Sequence, residues 1–353
     1  MSLLAEIAPA PETVAALRGV RRRRAARAVV VTTALAGLAF GLFVLTMMVG
    51  SYRLPASDVL RSVLRLGADP AIDFIVLDLR LPIAVSALSV GLALGVSGSV
   101  FQQVLRNPLA APDIVGVSAG ASLAAVTSIV VLQASGLFIC LAALVGAVIG
   151  AATIYLLAWR NGVSGYRFIL IGIGVAAVFE SGVGYLLTRA TLWDAREAMH
   201  WLTGTVGRAG DREQYALAVA LAVLVPVAYL LQRPLRALDL GDDTARGLGI
   251  STELARFALL GVSVLLVAAA TAVAGPIAFV ALVAGPIANR LLGPATGGLL
   301  AAGLVGASAL LAADLIAVHL LPVSLPTGVV TGALGAPYLL WLIASTNREG
   351  AGG

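Results

Sequence analysis

The sequence predicts an all-α polytopic membrane protein with about ten transmembrane helices. Three observations predict it. Apolar residues make up 60% of the 353 residues and charged ones only 12%, against roughly a quarter charged in soluble domains. The mean hydropathy is +1.01. Apolar runs of about 18 residues or more, each able to cross about 30 Å of hydrocarbon, recur along nearly the whole chain.

The elements follow in order. Arg18, Arg21–Arg24 and Arg27 precede an apolar stretch too long for the core of a cleavable signal, so the first span is read as 29–49. Residues 1–28 form a basic tail, matched in the same compartment by a tail over 346–353. Further spans are expected at 81–105, 115–134, 138–159, 167–188, 213–231, 256–274, 277–292, 297–319 and 326–345. An even number places both ends of the chain on one side. That side then holds 15 of the 23 basic residues and the other 8, which makes it the cytoplasm by the positive-inside rule. The protein is thus expected in a bacterial inner or plasma membrane, with both termini cytoplasmic.

Three connectors are long enough for structure outside the bilayer. Residues 51–80 have the apolar spacing of an outward-facing surface helix. Residues 188–214 carry Trp193 and Trp201, placed like interfacial anchors. The largest cytoplasmic connector, 233–255, has Pro234 on one side and Gly247 and Gly249 on the other, bracketing one or two short helices. It is either a docking surface or a solvated loop. A fourth, "LRNPLAAPDIVGVSAGAS", is stiff and sparsely charged. Pro108 and Pro112 keep Arg106–Gly116 from continuing as helix, and Asn107 and Asp113 can satisfy exposed helix ends.

Several chemistries are excluded. The chain has no lysine, so it lacks the P-loop lysine needed to hydrolyse ATP by that route. Cys140 stands alone, and His200 and His319 are far apart, so neither an internal disulfide nor a metal cluster is drawn. No cofactor is expected, and the basic flank reads as lipid-facing instead of nucleic-acid-binding. Within spans, Glu180 and Asp314 are the ionisable residues. They suit either a proton relay or a cavity lining, because carboxylates at lipid depth are expensive. Small-residue spacings such as "GLALGVSGSV" let helices approach closely. Pro276 and Pro286 bound a short span with the look of a re-entrant or gating element.

Five ordered blocks carry a resemblance: "LRLPIAVSALSVGLALGVSGSVFQQVLRNPLAAPDIVGVSAGAS", "LAWRNGVSGYRFILIGIGV", "LDLGDDTARGLGI", "AVAGPIAFVALVAGPIANRLLG" and "LPTGVVTGALGAPYLLWLI". Over roughly 80–345 the chain resembles the FecCD-type permeases, membrane subunits of ATP-driven importers for ferric siderophores, cobalamin and haem. It is most similar to the permease subunits of ferric-enterobactin importers. The resemblance implies a type II ABC importer permease fold, with two permease subunits, two separate ATPase subunits and an extracytoplasmic substrate-binding protein. This subunit is then no enzyme, its substrate being a ferric siderophore before cobalamin or haem. A gradient-driven carrier using Glu180 and Asp314 is the competing class. The coupling helix of the family matches Leu240, Gly241, Asp242, Asp243, Thr244, Arg246, Leu248 and Gly249. Arg106, Asn107, Pro108, Pro112 and Asp113 form an inner-face turn near the ATPase, and Arg80 docks the binding protein. Departures from the family pattern are Ile83 for an arginine, Val318 (beside His319) for another, and Gly285–Pro286 for a Pro-His pair. They imply reduced docking charge and hence a heterodimer with a second, different permease.

Overall fold

The computed structural model describes residues 11–350 except 51, 68, 114, 161–164 and 294–297. Residues 1–10 and 351–353 of the expected tails, part of the second resemblance block and the start of the ninth expected span therefore lie outside the described residues. Among those described there are fifteen α-helices and no strand. Lipid offers backbone polar groups no partner, so a spanning segment closes its hydrogen bonds within itself.

Each expected span has one helix: α1 (Pro11–Met48), α4 (Leu81–Leu105), α5 (Val117–Val130), α6 (Leu137–Ala158), α7 (Gly165–Arg189), α9 (Asp211–Leu230), α12 (Thr252–Ala274), α13 (Val280–Leu292), α14 (Leu299–Leu315) and α15 (Thr327–Gly350). Between them lie α2 (Ala56–Val63), α3 (Pro70–Asp73), α8 (Leu192–Leu202), α10 (Gln232–Asp239) and α11 (Asp242–Gly247). By length and composition, seven helices in the described residues can cross a membrane. α5 and α13, with 14 and 13 residues, reach only about 20 Å.

Three boundaries and one anchor differ from expectation. The second span starts not at 81 but at Pro70, because α3, a π-helical stretch over Phe74–Arg80 and α4 form one rod. Asp73, Asp78 and Arg80 interrupt the apolar run but not the helix. A cut at residue 28 falls inside α1, which is unbroken from Pro11. Trp201 is no interfacial anchor: it is 4% exposed beneath α8, whereas Trp193 is exposed. Pro286 does not bound α13 but lies inside it.

The core forms around α4, which packs on α14, α12, α13 and α9. Ala93–Gln102 are buried on every side, as expected for a helix apolar all round. A Cβ at Gly98 would stand 1.9 Å from the Ala281 carbonyl oxygen, so α4 and α13 touch backbone to backbone. Ser97 and Ser263 bond each other's backbone carbonyls, at 2.8 and 3.0 Å, and tie α4 to α12. By contrast α1, α7 and α9 leave most of their surface uncovered.

Pro286 has no N–H, which frees the carbonyl of Leu282 four residues earlier. Gln102 of α4 replaces the missing donor: its Nε2 donates to Leu282 O at 2.8 Å and to Pro108 O at 2.8 Å. A side chain at Gly285 would meet Gln102 Oε1 at 2.2 Å. Buried Gly285 and half-buried Pro286 therefore serve an internal hydrogen bond between α4 and α13.

Candidate functional site

Two short helices cap one end of the bundle. α10 buries Leu235 and Leu238, and Pro234 sits in its first turn, where a backbone N–H has no helical partner in any case. Gly241, at φ +108°, makes the turn into α11 that an L side chain would oppose. Asp242 and Asp243 then occupy the positive end of α11.

The two carboxylates do different work. Asp242 accepts from Arg256 Nη2 at 2.7 and 2.8 Å and from Arg106 Nη2 at 2.9 Å. Arg106, the left-handed cap of α4 (φ +50°), also donates to the Leu238 carbonyl. One acid thus ties α11 to the end of α4, to the start of the second turn of α12 and, through Arg106, to α10. Partial burial pushes the Asp242 carboxyl up, but Arg256 and Arg106 together hold it below the usual range. Asp239 goes the other way, raised by burial with Arg106 as a partial offset. Asp243 faces solvent, 3.2 Å from Arg246. Leu240, Thr244, Arg246 and Leu248 are exposed beside it, and Gly249 (φ +80°) closes the turn. The residues predicted here are therefore adjacent, with Asp242 directed inward and the rest outward. Sequence reasoning missed Arg256, whose only signal is an arginine near the start of an apolar span, and Ala245, the buried foot of α11.

The connector after α4 divides in two. Asn107 Oδ1 accepts from the Leu109 N–H at 2.9 Å, a tight turn beside Pro108. Ala110, Ala111 and Val115 are buried, and the chain climbs between helices until Gly116 meets the backbone of Gly172 in α7. Gly172 is two turns beyond Gly165, which lies against Leu105, so the climb is about 10 Å. Non-helical backbone is tolerated at such depth when protein surrounds it. Pro112 precedes Asp113, whose Oδ2 accepts from the Phe279 N–H at 3.3 Å. Asp113 therefore satisfies the start of α13.

A cavity of about 510 Å³ opens there, lined by Asp113, Ser118, Ser122, Glu180, Thr203 and Gly328 among others. Glu180 lies on the uncovered face of α7, about 22 Å along the helix from Gly165. At the far end of α4 lies a second cavity of about 320 Å³, lined by Arg80, Asp314, Val318 and His319. The π-helical stretch Phe74–Arg80 and a second one, Ile316–Leu320, both border it. Arg80 Nη1 donates to Met47 O at 2.8 Å and Nη2 to Tyr52 O, so it anchors the end of α1. Asp314 accepts from Thr327 Oγ1 at 2.8 Å. The two membrane carboxylates thus line separate cavities. Among the described residues no three His, Cys, Asp or Glu side chains form a metal-binding group.

The comparisons agree with this geometry. The model of the FecCD transport family matches residues 38–345. The ferric enterobactin transport system permease protein FepG of Escherichia coli is 41% identical over 85% of this chain and 91% of its own length. The achromobactin permease protein CbrC of Dickeya dadantii is also 41% identical, over 87% and 88%. A solved structure described as an inward-facing metal-chelate type ABC transporter superposes with a TM-score of 0.78 at 25% identity, covering 89% of this chain and 98% of that one. With family, fold and capping helices in accord, the chain is a polytopic membrane permease that belongs to the FecCD transport family.

Proposed function

We propose that this protein is the permease subunit through which a ferric siderophore enters the cytoplasm, driven by two separate ATPase subunits. What carries the reading is the α10–α11 cap. An exposed helix held to three other elements by one carboxylate can transmit a push without bending. Leu240, Asp243, Thr244, Arg246 and Leu248 form the surface an ATPase would grip, and motion would pass through Asp242 to Arg256 of α12 and Arg106 of α4. The Arg106 end then faces the cytoplasm, together with both termini.

The extracytoplasmic binding protein docks at the opposite end. Arg80 contributes there by fixing the α1 turn, since its guanidinium already serves Met47 and Tyr52. A second FecCD-type permease, most simply a different one, completes the pathway against the uncovered face of α7. Glu180 and Asp113 would line that pathway, where water offsets the cost of a carboxylate at membrane depth. The siderophore itself holds the iron, so the chain supplies no metal ligand.

Radio-iron uptake from a panel of ferric siderophores tests the reading. A deletion strain should lose uptake of one class and regain it on complementation, unless the partner ATPase lacks its phosphate-binding lysine. Uptake that persists with that dead ATPase but collapses with an uncoupler would identify a gradient-driven carrier instead. Cobalamin or haem transport without iron uptake would keep the machinery and change the substrate. Asp243→Arg should lower substrate-stimulated ATP hydrolysis at least tenfold, because a misplaced like charge at an interface costs several kcal/mol and a factor of ten needs only about 1.4. Wild-type coupling in that variant would move the docking surface elsewhere.

A further inference from the structure

With α7 as a wall of the proposed pathway, a reading on which this rests, we infer that the cavity lined by Ser118, Ser122 and Glu180 selects its cargo by charge. It passes neutral or cationic ferric complexes in preference to anionic ones. Two serines give the cavity the character of a binding surface. Ser118 and Ser122 stand one turn apart on α5, only 9% and 8% exposed, and both line the cavity. Among the described residues neither hydroxyl has a hydrogen-bond partner. Polar side chains this buried almost always have one, and the oxygens of a chelate passing through the cavity supply it.

The sign of the charge comes from a short sum. Among the described residues none of the groups lining the cavity is basic. α5, α13 and α15 all begin beside it, and their positive ends together amount to about one and a half charges. Asp113 offsets most of that at the α13 end, where it accepts from the Phe279 N–H. Glu180 turns the remainder negative. It lies exposed on α7 and makes no ion pair among the described residues. The other charges of α7, Arg167 and Arg189, stand about 20 and 14 Å away along the helix. Both are beyond the Debye length of about 8 Å.

A negative wall divides ferric siderophores by their donor groups. Three hydroxamates cancel the three charges of ferric iron, whereas three catecholates leave the complex triply anionic. Centred about 8 Å from Glu180, the catecholate sets three charges against one, which is worth about tenfold between the classes in water. The serine hydroxyls hold either class by neutral hydrogen bonds, weak enough for release. Glu180 is thus the specificity-determining residue, and Ser118 and Ser122 are binding residues without preference.

The test is radio-iron uptake into proteoliposomes that hold the whole importer, with preloaded binding protein in excess so that delivery does not limit. The probes are ferrioxamine B, a cationic tris-hydroxamate, its acetylated neutral form, its succinylated anionic form, and ferric enterobactin, a tris-catecholate. Wild type should take up the succinylated form about fivefold more slowly than the parent, and ferric enterobactin about tenfold more slowly than the acetylated form. Glu180→Gln should close both gaps, and Glu180→Arg should reverse the order. Ser118→Ala and Ser122→Ala together should lower uptake of all four alike. Copurification of the ATPase subunits checks that each variant assembles, and Glu180→Gln suffices if Glu180→Arg does not. The inference is overturned if wild type carries ferric enterobactin as fast as the neutral hydroxamate. It is also overturned if the gaps persist in Glu180→Gln, or if that variant stops all four probes equally. Wild type that takes up none of the four refutes the importer reading as well, which sets that failure apart from the others.

Discussion

Gln102 is the side chain whose removal should be felt furthest from its own position. Its amide holds two carbonyls at 2.8 Å, one of them left open by Pro286 in another helix. Hydrogen bonds between membrane helices average about 0.6 kcal/mol and reach about 1.7. Gln102→Leu, which keeps most of the volume, should therefore cost about 1–3 kcal/mol. Pro286→Ala restores an N–H beneath the Leu282 carbonyl, so in that background Gln102→Leu loses only the bond to Pro108. Its cost should fall by about 0.6–1.7 kcal/mol. Gly285→Ala should match Gln102→Leu and not add to it, because the new Cβ occupies the place of the amide oxygen. The assay is reversible unfolding in mixed micelles with rising dodecyl sulfate, read by circular dichroism, on the four members of the cycle. Equal costs of Gln102→Leu in both backgrounds, within about 0.3 kcal/mol, would refute the argument.

Other perturbations separate the remaining contacts. Gly98→Ala should cost about 3 kcal/mol, since its Cβ meets a backbone oxygen that cannot step aside. Gly261→Ala, with nothing within 4 Å, should be neutral or stabilising by up to about 1 kcal/mol in the same unfolding assay. For Asp242 the sign follows from its lowered pKa: the fold favours the carboxylate. Its contribution is present above the ordinary aspartate value of about 3.9 and disappears as pH falls through the lower folded value. Asp242→Asn should thus cost about 1–2 kcal/mol at pH 7, a figure reduced for partial exposure, and the gap to wild type should close in acid. Thr327→Val should cost about 2 kcal/mol by leaving Asp314 buried without its hydroxyl donor. Asp314→Asn should cost less, because the amide oxygen still accepts that bond.

What was legible in the sequence was whatever the bilayer enforces. Ten helices follow from hydropathy because lipid leaves a spanning chain few alternatives, and the Pro234–Gly249 bracket announced α10 and α11 because proline and glycine act locally. The failures share a different cause. Arg80 and Asp73 looked like the end of a hydrophobic segment, yet polar side chains break the apolar pattern without breaking a helix when carbonyls nearby take up the charge, as Met47 and Tyr52 do for Arg80. The connector at 106–116 read as a surface turn because its polar residues were visible and its neighbours were not; the backbone N–H that Asp113 accepts from belongs to Phe279. The pairs Gln102–Leu282, Ser97–Ser263 and Arg106–Asp242 join residues more than a hundred positions apart, and no local spacing encodes them. Two departures from the family pattern nonetheless acquire a physical meaning. Gly285 admits the Gln102 amide and Pro286 requires it, so the motif records an internal hydrogen bond and gives no ground for subtracting docking charge. The case for a second, different permease accordingly rests on Ile83 and Val318 alone, which line the cavity beside Arg80 at the end where a binding protein would land.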